Sequence, residues 1–411
     1  MEGSWAVIGE YEFAYYGFSK EQMLKSLCIG YAISLFFGSF LGMLSDLVGH
    51  KKLCLSFYML HLFVSIWKIV TGNPTIWLAS ICLSLASSMF SFSFETLMIV
   101  EHDKLGQRQD SLHDMFWLMT FFESASFISS QVIGNYLIDG NVNKNITSIW
   151  NEAVVLALVA VIFVTRRWKE NLQKAAFKDY CILFHKHVGS DKRIWLLSWA
   201  QTCTHFSIAA FWITWAPTVV SKLEHNTEIS ACVEQQLEHT LIINPLSLLE
   251  ITADGREVSL GLIYPCLLGF KMLGSTGFPW LFHGPPALRI EEYLVHASII
   301  MGLALTIVAY DYQEIEVLVT LFCLFHACMG LVLPSLARLR TMYVPNEVRG
   351  GMMSLSLMQA NAAVLLFLIL RGYYQCIENS TISAFAALGL FSAAGCMHML
   401  KKCGKQSRYN L

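Results

Sequence analysis

Long apolar runs separated by short polar turns extend along nearly the whole chain. The first complete run, residues 26–44, has no charged residue and is about 20 residues long, the length that a helix needs to cross the hydrocarbon core of a bilayer. Ten similar runs follow it. The pattern therefore predicts an all-α integral membrane protein with about eleven complete spans, at residues 26–44, 53–70, 76–100, 115–138, 149–164, 194–220, 258–273, 293–310, 317–333, 352–370 and 382–400.

The composition supports a membrane protein and excludes several functions. Of the 411 residues, 55% are hydrophobic and only 14% are charged, whereas soluble domains carry nearer to a quarter charged residues. The basic residues are grouped by turn and form no groove-binding face, so we expect no nucleic-acid partner. The chain has no nucleotide-binding glycine loop, zinc-protease motif or nucleophile elbow. We therefore predict no enzyme activity, no cofactor and no metal site.

A basic segment divides the spans into two groups. Residues 166–193 carry eight lysine or arginine residues, which predicts a cytoplasmic location. The sequence then divides into an N-terminal lobe (1–165), a cytoplasmic linker (166–193), a C-terminal lobe (194–400) and a cytoplasmic C-terminal tail (401–411). Two glycosylation sequons, at Asn145 and Asn379, fall on the opposite side. We expect a multi-pass monomer surrounded by lipid in the plasma membrane, with an endomembrane as the alternative.

Five spans precede the linker and six follow it. Residues 5–18 are aromatic and apolar, but Glu10 and Glu12 interrupt them and they are too short to cross a membrane alone. We interpret them as the outer end of a first helix whose inner half is missing from this chain. The underlying plan is then six plus six helices, as in two-lobed secondary transporters.

The turn after the first complete span resembles a motif of the major facilitator superfamily, written G-x-L-a-D-r-x-G-r-k. Its matching residues are Gly42, Leu44, Asp46, Gly49 and Lys51, while Leu47 and His50 replace usual basic residues. In that superfamily the acid caps a neighbouring helix and pairs with a cation across the lobes. The resemblance thus implies a cytoplasmic gate in which Asp46 has Arg340 or Arg349 as its partner.

Nearly the whole chain also resembles the molybdate-anion transporter family of that superfamily, as a plant-like or divergent member. The matching residues are Lys68, Phe94-Glu95, Glu101-His102, Gln201, Trp215-Ala216-Pro217, Gly330-Leu331, Pro334-Ser335, Leu339-Arg340 and Val344-Pro345. The resemblance implies a secondary carrier of a small anion, with molybdate as substrate, that works by alternating access.

Two departures from that family support an alternative. The first-helix signature Asp-Trp-Leu-Gln-Gly-Pro is absent, and Ser354-Leu355-Ser356-Leu357 stands where an arginine-bearing run is expected. The alternative is a transport-incompetent membrane receptor or scaffold, or a carrier of a different small solute.

Polar residues inside the spans are the candidates for a substrate or proton pathway, because burying them in a bilayer is costly. The predicted set is Glu95, Glu123, Gln201, His205, His326, Gln359 and Asn361. Glu123 and the two histidines are expected to couple proton movement to solute movement. The three amides either orient an anion or join helices. Glu95 has a second interpretation, in which its side chain reaches the surface or pairs with His102 or a linker lysine. Lys68 is expected to extend to the membrane surface.

Overall fold

The computed structural model describes residues 20–71, 76–104, 106, 109–138, 142–168, 177–226, 250–253, 256–283, 290–310, 314–374 and 377–409. Eleven long helices lie within these ranges, and they coincide with the eleven predicted spans. The predicted number of long helices is confirmed. The aromatic fragment at residues 5–18 lies outside the described residues.

The N-terminal group of helices begins with a helix that contains a π-helical turn. Helix α1 (Lys20–Ile33) continues through Ser34–Gly38 into α2 (Ser39–Val48), and the two form one long helix. The remaining helices of this group are α3 (His50–Thr71), α4 (Ile76–Lys104), α5 (Gln109–Ile138) and α6 (Val142–Arg167).

A short helix lies between the two groups, within the predicted linker. It is α7 (Phe177–Phe184), which continues into a π-helical turn at His185–Gly189. The C-terminal group then consists of α8 (Lys192–Asn226), α9 (Leu260–His283), α10 (Ile290–Ala309), α11 (Ile315–Tyr343), a 3-10 turn (Asn346–Val348), α12 (Arg349–Tyr374) and α13 (Asn379–Tyr409).

A small hairpin interrupts the otherwise helical fold. Strands β1 (Glu250–Ala253) and β2 (Arg256–Ser259) pair antiparallel. Helix α9 therefore begins at Leu260, two residues later than the predicted start at residue 258. The β-branched residues in this short segment favour the strand conformation. Residues 227–249 and 254–255 lie outside the described residues.

The helices have the length and surface expected in a bilayer. Within the described ranges, seven of the long helices are apolar and long enough to cross a membrane, namely α1–α2 taken together, α3, α4, α10, α11, α12 and α13. The other four long helices, α5, α6, α8 and α9, are not among these seven. Large apolar side chains such as Phe36, Phe63 and Phe122 face outward, where lipid can cover them.

The two groups of helices form two lobes that meet along a few helix pairs. Helix α5 of the N-terminal lobe packs against α9 and α11, while α1 and α2 pack against α12. The largest apolar core lies in the C-terminal lobe and includes Leu267, Phe322 and Leu390. We call the end of the bundle that carries α7 the linker end.

Lys68 does not extend to the surface as predicted. It is 7% exposed, and its Nζ lies 4.4 Å from the centre of the Trp150 ring. A cation over an indole face gains a favourable electrostatic interaction. The prediction for Lys68 is therefore wrong, because an aromatic partner from α6 is available inside the N-terminal lobe.

Candidate functional site

An ion pair between the lobes lies about halfway along the bundle. The Nζ of Lys271 on α9 is 3.1 Å from Oε2 of Glu123 on α5. The Lys271 side chain is 6% exposed and that of Glu123 is 29% exposed. The lysine is thus a nearly buried cation, and its carboxylate partner comes from the opposite lobe.

Close packing of two helices sets the position of Lys271. Gly330 of α11 lies against the backbone of α9, so that a Cβ added there would be only 2.8 Å from the amide nitrogen of Ser275. Small residues of this kind allow two helices in a membrane to approach closely. His326 lies on α11 one helical turn before Gly330.

His326 is a fully buried histidine with one unpaired ring nitrogen. Its Nδ1 lies 3.0 Å from the Phe322 carbonyl oxygen, and it therefore acts as the donor. Its Nε2 has no hydrogen-bond partner among the described residues. The rings of Phe211 and Trp212 lie 4.7 and 5.1 Å from the imidazole. In the neutral tautomer Nε2 is an acceptor nitrogen in an aromatic setting.

The other predicted pathway residues lie between α8 and α12. Gln201 and His205 are one turn apart on α8, with Gln201 Nε2 and His205 Nε2 separated by 3.4 Å. The Thr202 hydroxyl donates to Gln359 Oε1 at 2.9 Å, which joins α8 to α12. Asn361 is half-buried on α12. No hydrogen bond between described residues connects this group to Lys271.

Asp46 caps the first turn of α12 across the lobe interface. Its Oδ1 accepts from the amide of Gly350 at 3.0 Å, and its Oδ2 accepts from the amide of Gly351 at 2.8 Å. The first amides of a helix have no partner within the helix, and the positive end of the helix dipole favours a carboxylate there. The hydroxyl of Tyr180 on α7 also donates to Oδ2, at 2.9 Å.

The expected cation partner of Asp46 is not found. Arg340 forms a bidentate ion pair with Glu95, with distances of 2.8 Å from Nε to Oε1 and 2.5 Å from Nη2 to Oε2. Arg349 donates to the Val344 carbonyl oxygen at 3.3 Å and interacts with Asp46 only at longer range. The helix amides satisfy the carboxylate, which explains why no arginine needs to reach it.

The placement of Glu95 corrects a second expectation. Both side chains of its ion pair are 6% exposed, and they join α4 of one lobe to α11 of the other. The interpretation that Glu95 reaches the surface or pairs with His102 is therefore wrong. A further contact between the lobes lies nearby, where Asn346 Nδ2 donates to Asp103 Oδ2 at 2.9 Å.

Of the remaining motif residues, Gly42 contacts the other lobe, and Lys51 and Gly49 act within the N-terminal lobe. A Cβ on Gly42 would lie 2.5 Å from the Gly350 carbonyl oxygen, so this glycine allows α2 to approach α12. Lys51 donates to the carbonyl oxygens of Thr165 and Trp168, and so it caps the C-terminal end of α6 within its own lobe. Gly49 ends α2 with a φ of 111° and a ψ of 139°.

Gly49→Ala is expected to destabilise the protein by about 1–3 kcal/mol, because this backbone conformation is essentially restricted to glycine. Gly269→Ala is the matched control. It lies inside α9, and an added Cβ would meet no atom within 4 Å. In a helix interior this change stabilises by up to about 1 kcal/mol. Unfolding temperatures in detergent should therefore shift in opposite directions, and a shift of the same sign and size would contradict the assignment.

The chain has two helical lobes joined by a linker helix. Polar contacts join the lobes at the linker end and at mid-depth, as expected of a two-lobed membrane transporter. The profile of the MFS_5 family, described as sugar transporters with 12 transmembrane segments, matches residues 1–236. The chain belongs to this family of the major facilitator superfamily. It is therefore a multi-pass membrane protein of the secondary-transporter class.

Solved structures show the same fold. The E. coli fucose:proton symporter FucP shares 12% identity over 97% of this chain and 94% of its own, with a TM-score of 0.67. A bacterial homologue of the iron transporter ferroportin, in an outward-facing state with soaked iron, shares 12% identity over 92% and 89%, with a TM-score of 0.65. The human organic anion transporter MFSD10 shares 14% identity over 90% and 83%, with a TM-score of 0.59. The predicted all-α two-lobed fold is confirmed.

Proposed function

We propose that this protein is a proton-coupled secondary carrier of a small oxyanion, with molybdate as the first candidate substrate. The observation that carries the proposal is the ion pair of Lys271 and Glu123, which joins the lobes at mid-depth. A charged group inside a membrane helix is costly, and such groups mark substrate or ion pathways. Residues 354–357 lack the arginine expected from the molybdate-anion transporter family, and Lys271 supplies a positive charge in its place.

Competition for Lys271 would couple the proton to the anion. When Glu123 takes up a proton, it no longer neutralises Lys271, and a nearly buried ammonium without a counter-charge is unfavourable. A tetrahedral oxyanion can replace the carboxylate, because an ammonium is a compact charge with three donors. The unpaired Nε2 of His326 is a second candidate proton acceptor on α11.

Alternating access then requires that the contacts at the linker end break and re-form. These are the Asp46 cap on α12 and the ion pair of Glu95 with Arg340. We assign Gly42, Asp46, Gly49, Lys51, Arg340 and Arg349 to this inner gate, together with Glu95. We place the linker and the C-terminal tail in the cytoplasm and the protein in the plasma membrane. One chain holds both lobes, so a monomer suffices for transport.

Uptake of radioactive molybdate into cells that express the full chain tests the proposal. We expect accumulation above empty-vector cells, and faster accumulation when the external pH is lowered, because proton uptake is the proposed driving step. A protonophore should reduce it. Sulfate and fucose are tested in parallel, because the family is described as sugar transporters and FucP as a fucose:proton symporter.

Each outcome of this experiment decides one part of the proposal. Molybdate accumulation that responds to pH and protonophore supports both substrate and coupling. Accumulation that changes with neither pH nor protonophore would overturn the proposed proton coupling. Accumulation of fucose without molybdate would overturn the anion substrate, and uptake of none of the three would favour a receptor or scaffold.

A further inference from the structure

The linker helix packs against the inner gate through one face. Tyr180, Phe184 and Val188 are spaced four residues apart, and Tyr180 and Val188 are 4% and 1% exposed. Between them, Cys181 and Ile182 face outward. An apolar stripe of this period is typical of a helix that docks on a protein surface. The basic composition of the linker predicts a cytoplasmic location and gives no sign of this packed face.

Three parts of the protein meet at one carboxylate oxygen. Asp46 Oδ2 comes from the N-terminal lobe, the Gly351 amide comes from the C-terminal lobe, and the Tyr180 hydroxyl comes from the linker. Gly351 has no side chain, which leaves room for the linker rings. A Cβ there would lie 2.9 Å from Cε2 of Phe184 and closer still to the Tyr180 hydroxyl.

The electrostatic setting keeps Tyr180 a hydrogen-bond donor. Burial and the neighbouring Asp46 carboxylate hold the pKa of the Tyr180 hydroxyl well above its usual range. The phenol therefore stays protonated at physiological pH and donates to the carboxylate. This bond orients Asp46 so that its two oxygens face the Gly350 and Gly351 amides.

We propose that Tyr180 is a positioning residue for the inner gate. The linker helix holds Asp46 on the first turn of α12 through the Tyr180 hydroxyl, and it must undock before the linker end of the bundle can open. The linker is then part of the closing device as well as a tether between the lobes. The inference rests on the proposed alternating access, but it does not depend on the identity of the substrate.

Hydrogen exchange at the Gly350 and Gly351 amides of the full-length protein in detergent tests this proposal. Tyr180→Phe keeps the ring that packs on Gly351 and removes only the donor. We expect these two amides to exchange roughly fivefold faster, the effect of losing one hydrogen bond of ordinary strength. Tyr343→Phe is the control, because its hydroxyl donates to Glu291 Oε1 at 3.1 Å within the C-terminal lobe.

A second variant separates gating from general damage. Gly351→Ala adds a Cβ that displaces the Tyr180 hydroxyl, although alanine favours the helix itself. We expect faster exchange at the neighbouring Gly350 amide in this variant and little further change when Tyr180→Phe is added. If Tyr180→Phe exchanges at the wild-type rate, or if Tyr343→Phe shows an equal increase, Tyr180 does not position Asp46. Because no substrate is present, either result leaves the transport proposal to its own test.

Discussion

Lys271→Met is expected to lower molybdate uptake strongly. Methionine preserves the length and apolar stem of the side chain but removes the cation that we assign to substrate binding. Hydrogen bonds to a charged group contribute about 1.5–3 kcal/mol, so the loss corresponds to a roughly 10- to 100-fold lower uptake efficiency at low substrate concentration. Lys271→Arg keeps the charge and should retain part of the activity. Initial uptake rates, normalised to protein at the membrane, measure both.

The partner variant has a different expected result. Glu123→Gln keeps the cation and removes the titrating carboxylate, so Lys271 remains without its counter-charge at every pH. Uptake should then persist but lose its dependence on external pH. The control is the exposed pair Glu101 and Lys104 on α4, 2.7 Å apart, for which Lys104→Met should leave uptake unchanged. If Lys271→Met takes up molybdate at the wild-type rate, Lys271 does not bind the substrate.

The spans were predictable because the hydrocarbon core imposes length and polarity on every helix that crosses it. The motif around Asp46 was equally visible, since its glycines and acid are close together in sequence. Lys271 was missed although it stood out as a lone cation in the apolar run at residues 258–273. A search for lysines inside the apolar runs, like the search made for glutamates and histidines, would have found Lys271.

Other parts of the site have no local signal. Glu95 and Arg340 are far apart in the sequence, and their contact depends on how α4 and α11 meet across the lobes. The basic character of the linker concealed the buried stripe that begins at Tyr180. The resemblance implied that Asp46 caps a neighbouring helix, and it does, but the residues that it caps could not be read from the motif. Contacts between lobes arise from packing, which hydropathy and short motifs do not specify.

Arg340→Leu is expected to destabilise the protein more than any other substitution at the linker end. The variant leaves the Glu95 carboxylate nearly buried and without its bidentate partner. Breaking a buried pair from one side costs about 3–5 kcal/mol, whereas replacing both partners by neutral side chains costs much less. The double variant Glu95→Gln/Arg340→Leu should therefore unfold at a higher temperature than Arg340→Leu alone. Unfolding temperatures in detergent rank the variants.

An exposed pair at the same end provides the control. Arg193 also holds a carboxylate with two nitrogens, with Nη2 2.9 Å from Oδ2 of Asp191, but the two side chains are 40% and 32% exposed. Arg193→Leu should cost less than about 1 kcal/mol, because water screens such a pair. Arg340 also joins the lobes, so its loss should speed exchange at the Gly350 amide, which Arg193→Leu should not. Equal effects of the two substitutions would mean that the Glu95 pair does not hold the lobes together.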